Sequence, residues 1–283
     1  MKVIIHAAIA AAIASAALPV ASAETDRPQD RALEHVRVIG TASERFRIPG
    51  SAHLLTTDDI RAQSYDDINR VLRKVPGVYV REEDGYGLFP NISLRGVDTS
   101  RSAKITLMED GVLTAPAPYS APSAYYSPTA GRMSGLEVLK GSSQVRYGPH
   151  VTGGVLNYLS TAVPETRRTY FKSIFGTDNE IRLHAHTGDT VALSGGRLGY
   201  VVETFYRTTD GFKKVDPAPG YGGSDETGFT NIEPMIKLVF EPDTAIYQRL
   251  EGKIGYSNLE ADETYLGLSE QDIEDSPYRR YAA

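Results

Sequence analysis

Beyond Pro164 the side chains alternate in character from one residue to the next. Residues 170–174, 181–187, 200–207, 232–240 and 247–256 all carry this period of two, which belongs to extended strands with unlike faces. Over 232–240, Ile232, Pro234, Ile236, Leu238 and Phe240 share one face; Glu233, Met235, Lys237 and Val239 share the other. In the last segment Leu250, Gly252, Ile254 and Tyr256 oppose Arg249, Glu251 and Lys253. A soluble sheet can also set an apolar face against a charged one. Strands near ten residues, with tyrosine at their ends and alternately short and long connections, fit an outer-membrane barrel better. The sequence holds 17 Tyr and no Trp, so tyrosine would form the interfacial girdles.

The first residues address the compartment. "MKVIIHAAIAAAIASAALPVASA" joins a positive Lys2 to an apolar centre from Val3 to Leu18 and ends on Ala21-Ser22-Ala23. This predicts a secretory signal peptide over 1–23, cut before Glu24; the alternative is a helical anchor that stays in place. No apolar run reaches the roughly 18–20 residues of a membrane-spanning helix. The formal net charge of −6 does not favour nucleic acid, which calls for a basic face. The absence of cysteine excludes a disulfide scaffold and thiol catalysis.

Residues 45–160 read as a small mixed α+β domain. Thr57 is the expected cap of a first helix. Ser64, with Asp67 three residues on, is the expected cap of a second. Tyr65, Ile68, Leu72 and Val75 share a helical face, and Pro76-Gly77 ends it. Residues 77–97 read as strand, loop, strand, and 104–113 as a hairpin turning at Asp110-Gly111. Residues 115–131 hold four prolines and read as an ordered loop; 135–141 and 153–160 are further strands. The stretch 137–160, "EVLKGSSQVRYGPHVTGGVLNYLS", carries four glycines. It is no Walker loop, because Pro149 follows its second glycine, and no dinucleotide fingerprint, because no helix follows. Its glycines serve tight turns and close backbone approach.

That stretch resembles the closing segment of the plug domain of TonB-dependent outer-membrane receptors, V-E-V-x-R-G, then Y-G, then G-G-V-I/L-N, with Lys140 in place of the usual Arg. "ISLRGV" (92–97) is similar to the family's I-x-I-R-G, "LMEDGVL" (107–113) to its L-x-D-G-V/I-P hairpin, and "DDINRVLRKVPGVYV" (66–80) to its helix D-x-L-x-x-x-P-G-V. The resemblance covers 34–160 and extends along the strands to 283. Within the family, "APAPYSAPSAYYSP" and "VRYGPH" resemble the ferric-citrate receptors.

The resemblance implies an α+β plug domain followed by the first antiparallel strands of a transmembrane β-barrel. It implies a signal peptide over 1–23, a flexible tail over 24–44, a plug over 45–160 and a partial barrel over 165–283. The family closes about 22 strands around its plug, so the barrel is incomplete and the chain reads as truncated. Signalling members carry a further domain before the plug, and the short tail here implies no direct transcriptional signalling. The implied activity is uptake of a ferric chelate, citrate or a similar carboxylate siderophore, driven by TonB of the inner-membrane complex. The implied setting is the Gram-negative outer membrane and its lipid. Another siderophore, haem, cobalamin or a saccharide are alternative cargoes; an exported β-rich enzyme or carbohydrate-binding domain is the alternative class. No nucleic-acid partner, cofactor, catalytic group or metal site is expected. His184 and His186 share a strand face without an evident third ligand and read as a polar lumen.

The resemblance also suggests site residues. Glu34, His35, Val36, Arg37, Val38 and Ile39 form a short β-prone run after the polar tail, suited to TonB contact by strand addition; the alternative is an ordinary first plug strand. An anionic chelate calls for Arg, hydroxyl and amide donors on outward plug loops. Arg101, Thr114, Tyr119 and His150 are the candidates. The alternatives are a plug–barrel salt bridge for Arg101, loop packing for Thr114 and Tyr119, and a solvated turn for His150. Arg95 and Glu137 are expected to hold the plug to the wall, and "EEDGYG" (82–87) to be a solvated loop.

Overall fold

The structure is a computed structural model that describes residues 39, 48–114, 123, 126–147, 152–215, 227–262 and 281–282. Tyr119, His150 and residues 34–38 lie outside the described residues, as does most of the proline-rich stretch.

The N-terminal sheet is assembled from β1 (Ser51–Thr56), β4 (Ile105–Glu109), β5 (Val112–Leu113), β6 (Gly135–Lys140) and β7 (Gly154–Leu159), in the order β1-β6-β7-β4-β5. Both central strands, β6 and β7, are buried throughout, which is why they read as apolar runs and not as alternating ones. β4 runs parallel to β7; β1, β6 and β5 pair antiparallel with their neighbours. A separate ribbon joins β2 (Val78–Arg81) to β3 (Asn91–Leu94). Two short helices, α1 (Thr57–Arg61) and α2 (Ile68–Leu72), cover the sheet. Ile60, Ile68, Leu72 and Val75 pack there with Leu107, Leu136, Val138 and Leu156 in one core. The β4–β5 turn is the expected Asp-Gly turn, with φ of +50° and +79°.

Both helix caps fall away from the residues the sequence suggested. α1 is capped by Thr56 and not Thr57. Counting from Thr56, the third residue is Asp59, whose carboxylate accepts the Thr56 N–H at 2.9 Å. Counting from Thr57 it is Ile60, which cannot return the bond; the Thr57 hydroxyl instead donates to Ser134 O at 2.5 Å. α2 is capped by Asp67, which accepts from Asn69 N at 2.7 Å. Ser64 sits at φ +53° at the end of the preceding turn.

The C-terminal sheet contains β8 (Arg168–Phe175), β9 (Ile181–Leu193), β10 (Gly196–Thr209), β12 (Phe229–Pro242), β13 (Leu250–Gly255) and β14 (Asn258–Ala261). Each neighbouring pair is antiparallel, and β13 and β14 share the far edge of β12. Between β10 and β12, β11 (Lys214–Val215) pairs with β15 (Tyr281–Ala282). The apolar side points outward: Ile236 and Leu238 are half exposed, and Leu250 and Ile254 are 71% and 80% exposed. The mixed side points inward: Glu203, Glu233 and Lys237 are each 2% exposed. A soluble sheet buries its apolar side. This wall buries its charges against the N-terminal domain, which decides for a barrel-type wall. Among the described residues it is an open arc, ending at β8 on one side and at β13 and β14 on the other.

Candidate functional site

The seam between the inner domain and the wall is ionic. Arg132 closes a 3-10 turn, Ala130–Arg132, and is buried. Its Nε donates to Glu233 on β12, and its Nη2 donates to Glu109 Oε1 at 3.1 Å and to the Tyr126 hydroxyl at 2.7 Å. Glu233 also accepts from Thr129 Oγ1 at 2.5 Å and Asn231 Nδ2 at 2.7 Å. The next residue along the hairpin turn, Asp110, accepts from Lys253 Nζ at 2.6 Å, Lys237 Nζ at 3.3 Å and Ser160 Oγ at 2.5 Å. Thus one hairpin tip and one 3-10 turn meet charges from two wall strands.

Burial opposes ionisation of Asp110, but Lys237 and Lys253 outweigh it and hold the carboxyl well below its ordinary range. Glu109 is likewise lowered: burial works against it, and Arg132 and Lys253 prevail. Arg132 is buried too, and its two carboxylates keep it charged. Burial pushes the Tyr126 hydroxyl up, so it acts as a neutral donor and acceptor.

A second grip lies at β8 and β9. Arg182 Nη1 donates to Asp66 Oδ2 at 2.8 Å and to Ser64 O at 3.1 Å, and Lys172 Nζ to Ser64 Oγ at 3.0 Å. His184 and His186 share the inward face as expected. His184 Nε2 lies 2.7 Å from Glu203 Oε1, which also accepts from Thr161 Oγ1 at 2.6 Å. His186 stacks on Tyr170 at 5.0 Å, and Arg61 of α1 covers that ring at 4.5 Å.

The two ends of the wall differ. Ser194 and Gly195 alone join β9 to β10, whereas 210–228 separate β10 from β12. Barrels of this kind keep short turns inside and long loops outside, so the 210–228 end is the outward one. There Asp84 organises the loop between β2 and β3. Its carboxylate accepts from Tyr86 N and Gly87 N at 2.6 Å each and from Phe89 N at 3.1 Å. This corrects the expectation of a solvated loop: Asp84 is buried because it supplies the acceptors that the loop's own backbone lacks.

Arg101 stands beside this loop at φ +51°. Its Nη2 donates to Glu83 Oε1 at 2.9 Å and its N–H to Asn91 Oδ1 at 2.8 Å. This ion pair with Glu83 lies within the domain. Thr114 is engaged in loop packing: its N–H and hydroxyl both donate to Leu107 O, at 3.1 and 3.3 Å. Ile39 is buried, and its N–H donates to Glu137 Oε1 at 3.0 Å. Glu137 also accepts from Asn157 Nδ2 at 2.8 Å. It fastens the entering chain to the domain core. Arg95 likewise belongs to the domain's own surface: its N–H donates to Gly77 O at 2.9 Å, and it lines a cleft of about 450 Å³ with Tyr79, Ser93 and Thr99.

Residues 44–155 match the family described as TonB-dependent Receptor Plug Domain. The inner domain is therefore a plug of the kind that TonB-dependent receptors carry, and the wall that follows it matches the first barrel strands of such receptors in fold. The vitamin B12 transporter of Vibrio cholerae is 24% identical over 241 residues, 83% of this chain and 37% of that protein. This chain therefore spans just over a third of that relative's length. In fold, it is similar to the ferric yersiniabactin uptake receptor of Yersinia pestis (TM-score 0.57, 22% identity, 74% of this chain and 32% of that one). It is also similar to an unliganded ferric citrate transporter (TM-score 0.52, 16% identity, 80% and 42%).

The charged seam was not read from the sequence. Lys237 and Glu233 gave a partial signal, since charges on the second face of a strand with an apolar first face need inward partners. Arg132 gave none: it lies in a loop, and its carboxylate on β12 is 101 residues away.

Proposed function

We propose that this chain is the plug and first wall strands of an outer-membrane receptor that takes up a ferric chelate, citrate or a similar carboxylate siderophore, under the pull of TonB. The observation that carries the reading is the inverted wall, apolar outward and charged inward, closed by salt bridges onto the plug. Such a plug blocks the lumen until work is done on it, and the outer membrane holds no nucleotide pool to do that work. The proposed division is a signal peptide over 1–23, a tail over 24–44, a plug over 45–160 and a wall from 165.

Residues 34–39 are the proposed TonB contact. Ile39 is seated on Glu137, so the run before it is the part to which a partner strand would add. For the cargo, we propose Arg101, Thr114, Tyr119 and His150 as plug contributions. Arg101 would exchange Glu83 for a cargo carboxylate, which its planar fork can hold by parallel bonds. Cobalamin is the second reading, favoured by the match to a vitamin B12 transporter over most of this chain.

Calorimetry on the whole receptor separates them, using ferric citrate, other ferric siderophores, haem and cobalamin. The proposal expects ferric citrate to bind, and Arg101→Ala to weaken it about ten- to hundredfold, the weight of a charge-assisted bond. Binding of cobalamin alone would replace the cargo. Unchanged ferric-citrate affinity in Arg101→Ala would remove Arg101 from the site.

A further inference from the structure

The outward end of the seam carries a contact of another kind. β10 ends at Thr209, and the chain turns through Gly211 at φ +89° to Phe212. A Cβ on Gly211 would lie 2.5 Å from the Thr227 carbonyl carbon, and Thr227 Oγ1 donates to Lys213 O at 2.7 Å. The base of the β10–β12 connection is thus pinched shut. From this base the Phe212 N–H reaches across to the plug and donates to the Tyr86 hydroxyl at 3.0 Å. The two rings meet edge to face at 5.2 Å. Gly85 makes the room: at φ +84°, its Cβ would lie 2.8 Å from the Phe212 ring.

Tyr86 is held from the wall as well. Its ring packs edge-on to Phe229 at 5.0 Å, and the Arg207 guanidinium lies 5.2 Å from the Tyr86 ring and 4.9 Å from that of Phe229. Glu180, at the start of the β8–β9 connection's return, accepts from Arg207 at 2.8 and 3.0 Å. On the plug side the same loop hangs from Asp84. Gly87 abuts Asp67, the cap of α2, so closely that a Cβ would fall 2.1 Å from its carboxylate. Phe212 is 47% exposed; among the described residues its ring meets Tyr86, Gly85 and, at 5.5 Å, the Lys213 ammonium.

We propose that Tyr86 is a latch: plug loop 84–89 and the base of the connection, Asp210 to Lys213, open and close as one cooperative unit. The plug then cannot leave the outward end of the wall until Phe212 lets go. The consequence for uptake rests on the receptor reading. The coupling itself does not, and it is reciprocal: loosening either side must loosen the other.

Amide hydrogen exchange on the whole receptor in detergent micelles tests it, with no cargo or energised partner present, so failure of the uptake reading would leave the result intact. Tyr86→Phe removes only the hydroxyl and is expected to speed exchange of the Phe212 amide about two- to tenfold, the weight of one hydrogen bond. Phe212→Ala is expected to speed the Gly87 and Phe89 amides, although the Asp84 bonds to them are untouched. Phe212→Leu, which keeps apolar bulk, should give a smaller change in the same amides and serves if the alanine variant does not fold. Phe212 variants that leave Gly87 and Phe89 as protected as in the parent would overturn the latch. So would a Phe212 amide indifferent to Tyr86→Phe.

Discussion

Arg132 and Asp110 show how single side chains hold the plug. Arg132 is 4% exposed between Glu109 and Glu233. Replacing it with Ala leaves buried Glu233 without its cation, while Glu109 keeps Lys253 at 3.0 Å; removing one partner of a buried pair costs roughly 3–5 kcal/mol. Chemical denaturation of the whole receptor should show a loss of that order for Arg132→Ala. A loss within the roughly 0–1 kcal/mol of surface pairs would deny the seam its role. Asp110 sets a pH dependence. Its folded carboxyl is held below the ordinary range by Lys237 and Lys253 against the opposing effect of burial. Its stabilisation is therefore present above the unfolded value of about 3.9 and is lost as pH falls through the folded one. The plug–wall seam should weaken steeply below about pH 4, and Asp110→Asn should flatten that slope. An acid-unfolding curve unchanged by Asp110→Asn would contradict this.

At the scale of the element, β12 states the solvent on each side. Ile236 and Leu238 point out at 49% exposure each, while Glu233 and Lys237 point in. Ile236→Arg should cost about 2–4 kcal/mol if the outer face meets hydrocarbon near its midplane. On a water-facing sheet it would be nearly neutral. Refolding into lipid vesicles measures the difference. The two faces of β12 were legible in the sequence because period-two alternation survives any tertiary context. So were the Asp110-Gly111 hairpin and the Pro76-Gly77 stop, since each turn demands a particular backbone geometry. The caps were legible only to within a few residues: Thr56 and Thr57 are chemically equal, and the choice fell to Asp59, which fits one count and not the other. Asp84 was misread because an acidic, glycine-rich run has the same composition whether its carboxylate meets water or three backbone N–H groups.

For the whole molecule, the plug and the wall are two designs joined at Thr161–Pro164, one with an apolar interior and one with an apolar exterior. The charged layer lets both exist in one chain. It also makes the plug removable in principle, since ionic and hydrogen-bonded contacts can be exchanged for water where a shared apolar core could not. The cargo was less legible than the fold. Arg101 keeps a carboxylate partner in Glu83, and Thr114 is engaged with Leu107, so neither residue type alone told whether its group was already in use. We propose that TonB, acting on residues 34–39, drives uptake through this plug. Val36→Pro in the whole receptor removes the backbone donor needed for strand addition. Accumulation of radiolabelled ferric citrate in energised cells is then measured beside surface binding. Binding is expected to persist and accumulation to fall to the level of cells lacking TonB; accumulation equal to that of the parent receptor would overturn the proposed TonB contact.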